Sequence, residues 1–255
     1  MGTRKTIGTL GLAGLLATAA TPALAGGFTA ADIQFLYGAD MAKELFGSGV
    51  EGGKLFPMWT LEVANGWTYG DNFFFTDINQ GPRFDDKKAM SMYSELHSRL
   101  SAGKISGKDV GFGPVSDLLL AEEIDLASGV TPAYCTGLGV DLKTPGFAYA
   151  FVNFFVRDEM SADGVSFQIN PVWNLPINLG PVKMDFNGWF DFYTGEGDGQ
   201  DFWWQMQPTL LLDVSNFWCA PGKLMLGCEY EYFQNFLGFT KQDVNHPQFV
   251  ALWNL

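Results

Sequence analysis

The chain has 255 residues, of which 47% are hydrophobic, 15% aromatic and only 17% charged. Its formal net charge of −13 argues against nucleic-acid binding, because that function needs a basic surface. Three cysteines are an odd number and do not predict a disulfide framework, and two histidines without zinc-type spacing give no support for a structural metal. We therefore expect no metal and no cofactor.

The N-terminal segment predicts a secretory signal peptide. Two basic residues precede an apolar run at 7–20 that is too short to span a bilayer, and Ala23-Leu24-Ala25 offers a cleavage site. A short membrane anchor is the alternative, but the length and the small residues favour cleavage. We expect residues 1–25 to be removed and residues 26–255 to form one barrel domain.

The segment 56–78 predicts a β-hairpin, after a first short strand at 31–38. Asn65-Gly66 is expected to form the turn, and Glu62 falls on the polar face of the first arm. One face of the second arm carries both carboxylates and rings: Asp71, Phe73, Phe75 and Asp77. This mixture predicts the inner wall of a channel for a flat, hydroxylated solute.

The next strand, at 91–101, has the clearest alternation in the chain. One face carries Met92, Ser94, Leu96, Ser98 and Leu100, and the other carries Tyr93, Glu95, His97 and Arg99. Since Glu95 and Arg99 share a face and lie two pleats apart, we expect them to pair.

The segment 108–127 is ambiguous, because its second half has a composition that also fits a helix. In the context of a barrel we interpret it as strand material with an interruption at Gly113-Pro114. The segments 134–142 and 146–157 predict the next hairpin, with Tyr149 on its polar face.

The alternation continues to the C-terminus, in the segments 165–172, 182–192, 201–213 and 223–233 and in the final PQFVALWNL. A span as long as 182–192 with one charged and one apolar face is typical of a tilted membrane strand. We expect an all-β protein, a transmembrane antiparallel up-and-down barrel of about twelve strands, since such barrels have even strand numbers. Cys219 and Cys228 are expected to be free thiols, and His246 to lie in the turn before the last strand.

Four stretches occur in a family's order and spacing: WTLEVANGWTYGDNFFFTD, YSELHSRLS, VGFGP and CTGLGVDLKTPGFAYAFVNFF. From Phe56 to Phe155 the chain thereby resembles the nucleoside-specific channel-forming porins of the Tsx/OmpK type. The resemblance implies a monomeric twelve-stranded barrel in the lipid of the outer membrane. It also implies passive passage of nucleosides and deoxynucleosides and, for some members, service as a phage or colicin receptor.

The resemblance implies five residues that line the lumen: Glu62, Asp71, Phe75, Glu95 and Arg99. The chemistry of a nucleoside adds further rings, because a base stacks on aromatic side chains while ribose hydroxyls bind carboxylates and guanidinium groups. These rings are Phe73, Tyr93 and Tyr149. In the plainer interpretation the rings only fill a narrow barrel and the charges only pair with one another.

Two other functions stay open at this point. One is a receptor or structural barrel with a plugged lumen. The other is an outer-membrane lipid hydrolase, which needs a serine and a histidine within hydrogen-bond reach. The sequence gives it little support, because His97 falls on the lumen face whereas Ser94 and Ser98 fall on the lipid face.

Overall fold

The computed structural model describes residues 27–39, 55–80, 90–128, 131–160, 163–195, 200–235, 238 and 243–255. The predicted signal peptide lies outside these ranges. Within them, no helix has the length and apolar character needed to cross a membrane.

The described part of the chain is built almost entirely of β-strands. They are β1 Thr29–Ala39, β2 Leu55–Trp67, β3 Gly70–Gln80, β4 Met90–Ser101, β5 Val115–Ala127, β6 Ala133–Leu142, β7 Tyr149–Glu159, β8 Ser166–Leu179, β9 Val182–Tyr193, β10 Trp203–Met206, β11 Thr209–Asp213, β12 Leu224–Gln234 and β13 Val244–Asn254. One short α-helix, α1 (Ala102–Ser106), and one 3₁₀ helix, Ser215–Trp218, connect strands.

The strands form one closed antiparallel barrel, since β13 pairs with both β12 and β1. Strands β10 and β11 each pair with β9 and β12, so together they occupy a single position in the barrel wall. Counted as one interrupted strand, they give the predicted number of twelve. The interruption falls at Pro208, which has no backbone N–H to donate, but the Gln207 N–H still donates to the Trp189 carbonyl at 3.0 Å.

The two faces of the barrel wall have opposite character. Side chains of non-neighbouring strands meet only on the concave side, where Arg99 of β4 donates to Asp141 of β6 at 2.9 Å. The alternate positions carry large exposed apolar side chains: Trp59, Leu96, Leu118, Leu120, Leu126, Leu138, Phe154, Phe167, Ile169, Leu210, Phe249 and Trp253. This arrangement is typical of a barrel with lipid outside and a polar bore inside.

Part of the inner face is packed with apolar side chains rather than polar ones. One buried cluster lies on β1 and β11–β13, with Leu36, Leu211, Met225, Val250 and Leu252. A second lies on β9, β10, β12 and β13, with Tyr193, Trp203, Phe233 and Val244. A third, smaller cluster lies on β5–β7, with Ala121, Cys135 and Phe155. The inner wall therefore combines apolar packing with polar side chains.

The turn of the first hairpin is not where the sequence predicts it. Strand β2 continues through Asn65-Gly66, and the turn is Thr68-Tyr69. Asn65 and Asn72 are paired across the two strands, with the Asn72 Nδ2 donating to the Asn65 Oδ1 at 2.9 Å. This side-chain hydrogen bond and the backbone pairing hold Asn65 in the strand.

Three other expectations concern the segment 108–127, His246 and the cysteines. The ambiguous segment ends in one continuous strand, β5, and α1 before it was not predicted. His246 lies within β13 and faces the bore, so its assignment to a turn is wrong. Cys219 and Cys228 are free, as expected, and so is Cys135, although Cys219 follows the 3₁₀ helix rather than ending a strand.

Candidate functional site

Four rings lie side by side on the inner face of β3 and β4, and we call them the aromatic patch. It consists of Phe73, Phe75, Tyr93 and His97. Ring centroids are 6.0 Å apart for Phe73 and Phe75, 5.9 Å for Phe75 and Tyr93, and 5.7 Å for Phe73 and His97. The patch forms because residues two apart on one strand share a face and Phe73 lies directly opposite His97.

Arg99 holds two carboxylates beside the aromatic patch. Its Nε and Nη2 donate to the two oxygens of Asp71 at 2.8 and 3.0 Å, and its Nη1 donates to Asp141 at 2.9 Å. The guanidinium carbon also lies 3.9 Å from the centroid of the Phe151 ring. The predicted pairing of Arg99 with Glu95 is therefore wrong, because these acceptors on β3 and β6 engage the guanidinium group from two sides.

Glu95 is bound by its own strand neighbours instead. Its Oε1 accepts a hydrogen bond from the Tyr93 hydroxyl, and its Oε2 lies 2.8 Å from the His97 Nε2. The other ring nitrogen of His97, Nδ1, is 3.1 Å from a carboxylate oxygen of Glu123 on β5. The imidazole thus lies between two carboxylates at the edge of the aromatic patch.

Glu62 is paired across the strands with Phe75 and belongs to an acidic stretch of the wall. It accepts a hydrogen bond from Gln34, and the carboxylates of Asp32 and Asp77 are close enough to interact with it electrostatically. Asp77 in turn accepts a hydrogen bond from the Thr60 hydroxyl. Carboxylate oxygens therefore flank the aromatic patch on the side of β2 as well.

Tyr149 is distant from the other predicted site residues in sequence but lies near them in the barrel. Its ring stacks on Phe151, with centroids 6.0 Å apart, and Phe151 contacts the Arg99 guanidinium. The side chain is 49% exposed and interacts electrostatically with Glu62. The structure thus brings all eight predicted residues to one region of the inner wall; that they bind a solute stays a prediction.

Several polar residues of this wall were not singled out from the sequence. Asp141 completes the Arg99 site, and Gln168 donates to Asp191 at 3.0 Å and to Glu123 at 3.4 Å. Alternation along β7 puts Arg157 on the same face as Tyr149, but only closure of the barrel brings β8 and β9 against β5.

The inner wall is strongly acidic. Its carboxylates on the described strands include Asp32, Glu62, Asp71, Asp77, Glu95, Glu123, Asp125, Asp141, Asp185, Asp191, Glu229 and Glu231. Apart from histidines, the basic residues of these strands are Arg99, Arg157 and Lys183. We therefore expect the inner wall to favour cations over anions.

A closed barrel with an apolar outside, a polar inside and an acidic bore defines a channel-type protein of the outer-membrane barrel class. The family model described as "Nucleoside-specific channel-forming protein, Tsx" matches residues 61–249. The chain belongs to this family, whose members form channels rather than a class of enzymes.

Among solved structures, the outer membrane protein Omp33 of Acinetobacter baumannii is similar to this chain. The identity is 10% and the TM-score 0.40, and the match covers 89% of this chain and 98% of that one. A search of curated proteins found no match.

Proposed function

We propose that the barrel lies in the outer membrane and passes nucleosides passively, with the aromatic patch as a weak binding site on their path. The observation that carries this proposal is the row of partly exposed rings between carboxylates on both sides. Phe73, Phe75 and Tyr93 offer flat surfaces for a base, while Glu62 and Asp71 offer acceptors for ribose hydroxyls.

Weak binding is what passage requires, because a solute that is held tightly does not leave again. Stacking of one base on an aromatic side chain contributes about 1–3 kcal/mol. Hydrogen bonds from ribose hydroxyls to carboxylates that also face water add little in net free energy. Stacking and these hydrogen bonds together give a binding free energy that fits a site which a nucleoside occupies at millimolar concentrations and leaves rapidly.

The test is the block of ion current through single barrels in a planar bilayer. Millimolar adenosine or thymidine should reduce the conductance, and glucose at the same concentration should not. Phe75→Ala should weaken the block about fivefold or more, since one stacking contact of ~1–3 kcal/mol is lost. The matched control is Phe74→Ala, because Phe74 is the next residue on the strand and points outward.

Three results would contradict the proposal in different ways. An open channel whose current nucleosides leave unchanged refutes the solute but keeps the channel. Equal loss of block in Phe75→Ala and Phe74→Ala refutes the binding patch. A folded barrel without conductance favours the receptor function instead.

We also infer that the chain reaches the outer membrane after removal of residues 1–25. The basic start, the short apolar run and the Ala23-Leu24-Ala25 sequence support this step. Mass spectrometry of protein extracted from outer membranes should give a mature chain that starts at Gly26. An intact N-terminus on membrane-inserted protein would contradict the cleavage.

A further inference from the structure

Five side chains of β4, β5 and β6 form a compact group on the inner wall, which we call the five-residue cluster. Its members are Glu95, His97, Glu123, Asp125 and Cys135. His97 lies directly opposite Glu123, Glu95 opposite Asp125, and Glu123 opposite Cys135. Because directly opposite residues on antiparallel strands have their Cβ atoms about 5 Å apart, the ends of these side chains meet.

The atoms that meet are of the kinds that bind transition metals. One donor atom each of Glu95, His97 and Glu123 lie within 4.8 Å of one another, and the same holds for Glu123, Asp125 and Cys135. Glu123 is common to both groups, with its Oε1 at 3.5 Å from the Cys135 Sγ. Imidazole nitrogen, carboxylate oxygen and thiolate sulfur are the ligands that Zn²⁺ takes in proteins.

The charge of the cluster is not balanced by its neighbours. Glu123 and Asp125 are only 3% and 8% exposed, and together with Glu95 they supply three carboxylates. The guanidinium group in contact with them is Arg157, which hydrogen-bonds to Asp125. A protonated His97 leaves one negative charge over and a neutral His97 leaves two, and either is costly in a place so poorly hydrated.

A second observation points to a missing partner. Asp125 Oδ1 is buried and accepts no hydrogen bond from the described residues. A buried carboxylate oxygen in this state normally has a proton, a water molecule or a cation beside it. A divalent cation would neutralise the excess charge of the whole cluster at once.

We propose that the five-residue cluster is a Zn²⁺ site, with Glu95, His97 and Glu123 as ligands and with Asp125 and Cys135 beside them. One ring nitrogen of His97 binds the ion. The other ring N–H donates to a carboxylate oxygen that is not used for the metal, which is how metal-bound histidines are commonly oriented. The side chains of Glu95 and His97 are each 16% exposed, so the ion reaches the site from the bore. Three protein ligands leave a coordination position open to water or solute.

The experiment is a titration of the full mature chain, folded in detergent, with ZnCl₂ in a calorimeter. One Zn²⁺ per chain should bind, and both His97→Gln and Glu123→Gln should weaken binding at least tenfold. His246→Gln is the matched control for histidine, because His246 faces the bore beside a carboxylate, Glu231, but outside the five-residue cluster. Glu122→Gln is the control for charge, because Glu122 is the neighbour of Glu123 on the outer face. Both controls should bind as the wild type does.

Absence of saturable binding in the wild type overturns the site, and so does equal weakening by the control variants. Binding of Ca²⁺ as tight as Zn²⁺, unaffected by His97→Gln, also overturns it, because the imidazole would then have no part. Should Glu123→Gln fail to fold, the visible absorption spectrum of Co²⁺ bound to wild type and to His97→Gln tests the site instead. Wild type should give the strong visible bands of a low-coordinate site and His97→Gln should not, whereas a weak octahedral spectrum in wild type refutes the proposal. None of these readouts depends on which solute the channel passes.

Discussion

Replacement of Arg99 by methionine tests whether the polar pairs of the bore stabilise the barrel. The change keeps most of the apolar stem but removes the charge that joins Asp71 on β3 to Asp141 on β6. A buried ion pair that loses one partner costs about 3–5 kcal/mol. Here Asp71 is 27% and Asp141 31% exposed, so water in the bore recovers part of that cost. Adding ~0.5–1 kcal/mol for the contact with Phe151, we expect a loss of about 3 kcal/mol.

The measurement is guanidinium unfolding of the refolded barrel, followed by tryptophan fluorescence. With a slope of about 4 kcal/mol per M, the midpoint should fall by roughly 0.7 M. Arg99→Met combined with Asp71→Asn and Asp141→Asn should recover most of the loss, because the carboxylates then no longer repel each other. Lys183→Met is the control, because it also removes a positive charge from the inner face but lies at the end of a strand. Its free energy of unfolding should differ from that of the wild type by no more than about 0.5 kcal/mol. An unchanged midpoint in Arg99→Met, or a triple variant no more stable than it, would refute the reasoning.

Three further predictions concern the wall itself. The acidic bore should make the current cation-selective, as measured by the reversal potential in a KCl gradient, and anion selectivity would contradict the assigned inner face. Gly137→Ala should destabilise the barrel by about 2 kcal/mol or more in the unfolding assay, because a Cβ at Gly137 would lie 1.8 Å from the Phe154 carbonyl oxygen. The control is Thr136→Ala on the outer face, which should cost less than about 1 kcal/mol. A charged maleimide applied to liposome-inserted protein should label exposed Cys219 but not buried Cys135 or outward-facing Cys228, as read by mass spectrometry; labelling of Cys228 would place that face in water.

Alternation alone was enough to predict most of the fold. A period of two in segments such as 91–101 and 182–192 separates the two faces whatever the register of the neighbouring strands. The strand number needed a further rule, that such barrels have even numbers of strands. The interrupted stretch 201–213 did not disturb the count, because both of its halves pair with the same neighbours. The turn after β2 was missed because Asn65-Gly66 is a good turn sequence locally, whereas the strand pairing that overrides it lies outside any local window.

The composition of the site was partly predictable and its contacts were not. Alternation assigns Asp71, Phe75 and Arg99 to one face, but the partners of a charged side chain depend on the strands beside it. Arg99 reaches Asp141 across β5, where the residue directly opposite Arg99 is Ala121, small and fully buried. The sequence separation of 42 residues between Arg99 and Asp141 gives no local signal for this pair. The same holds for the five-residue cluster, whose donors come from three strands, while metal motifs are sought within one segment.

Burial decides which of the aromatic rings on the inner wall a solute can use, as two groups of them show. Tyr193 and Trp203 stack with centroids 3.8 Å apart and are only 5% and 9% exposed, so their faces are already covered by protein. Phe73 and Phe75 are partly exposed and lie at tilted angles about a ring's width apart. A base cannot reach the covered faces of Tyr193 and Trp203, so it cannot stack on them. On a partly exposed ring the base makes a new apolar contact and displaces only loosely held water. Of these two groups, only the aromatic patch on β3 and β4 therefore has ring surface free for the base of the proposed solute.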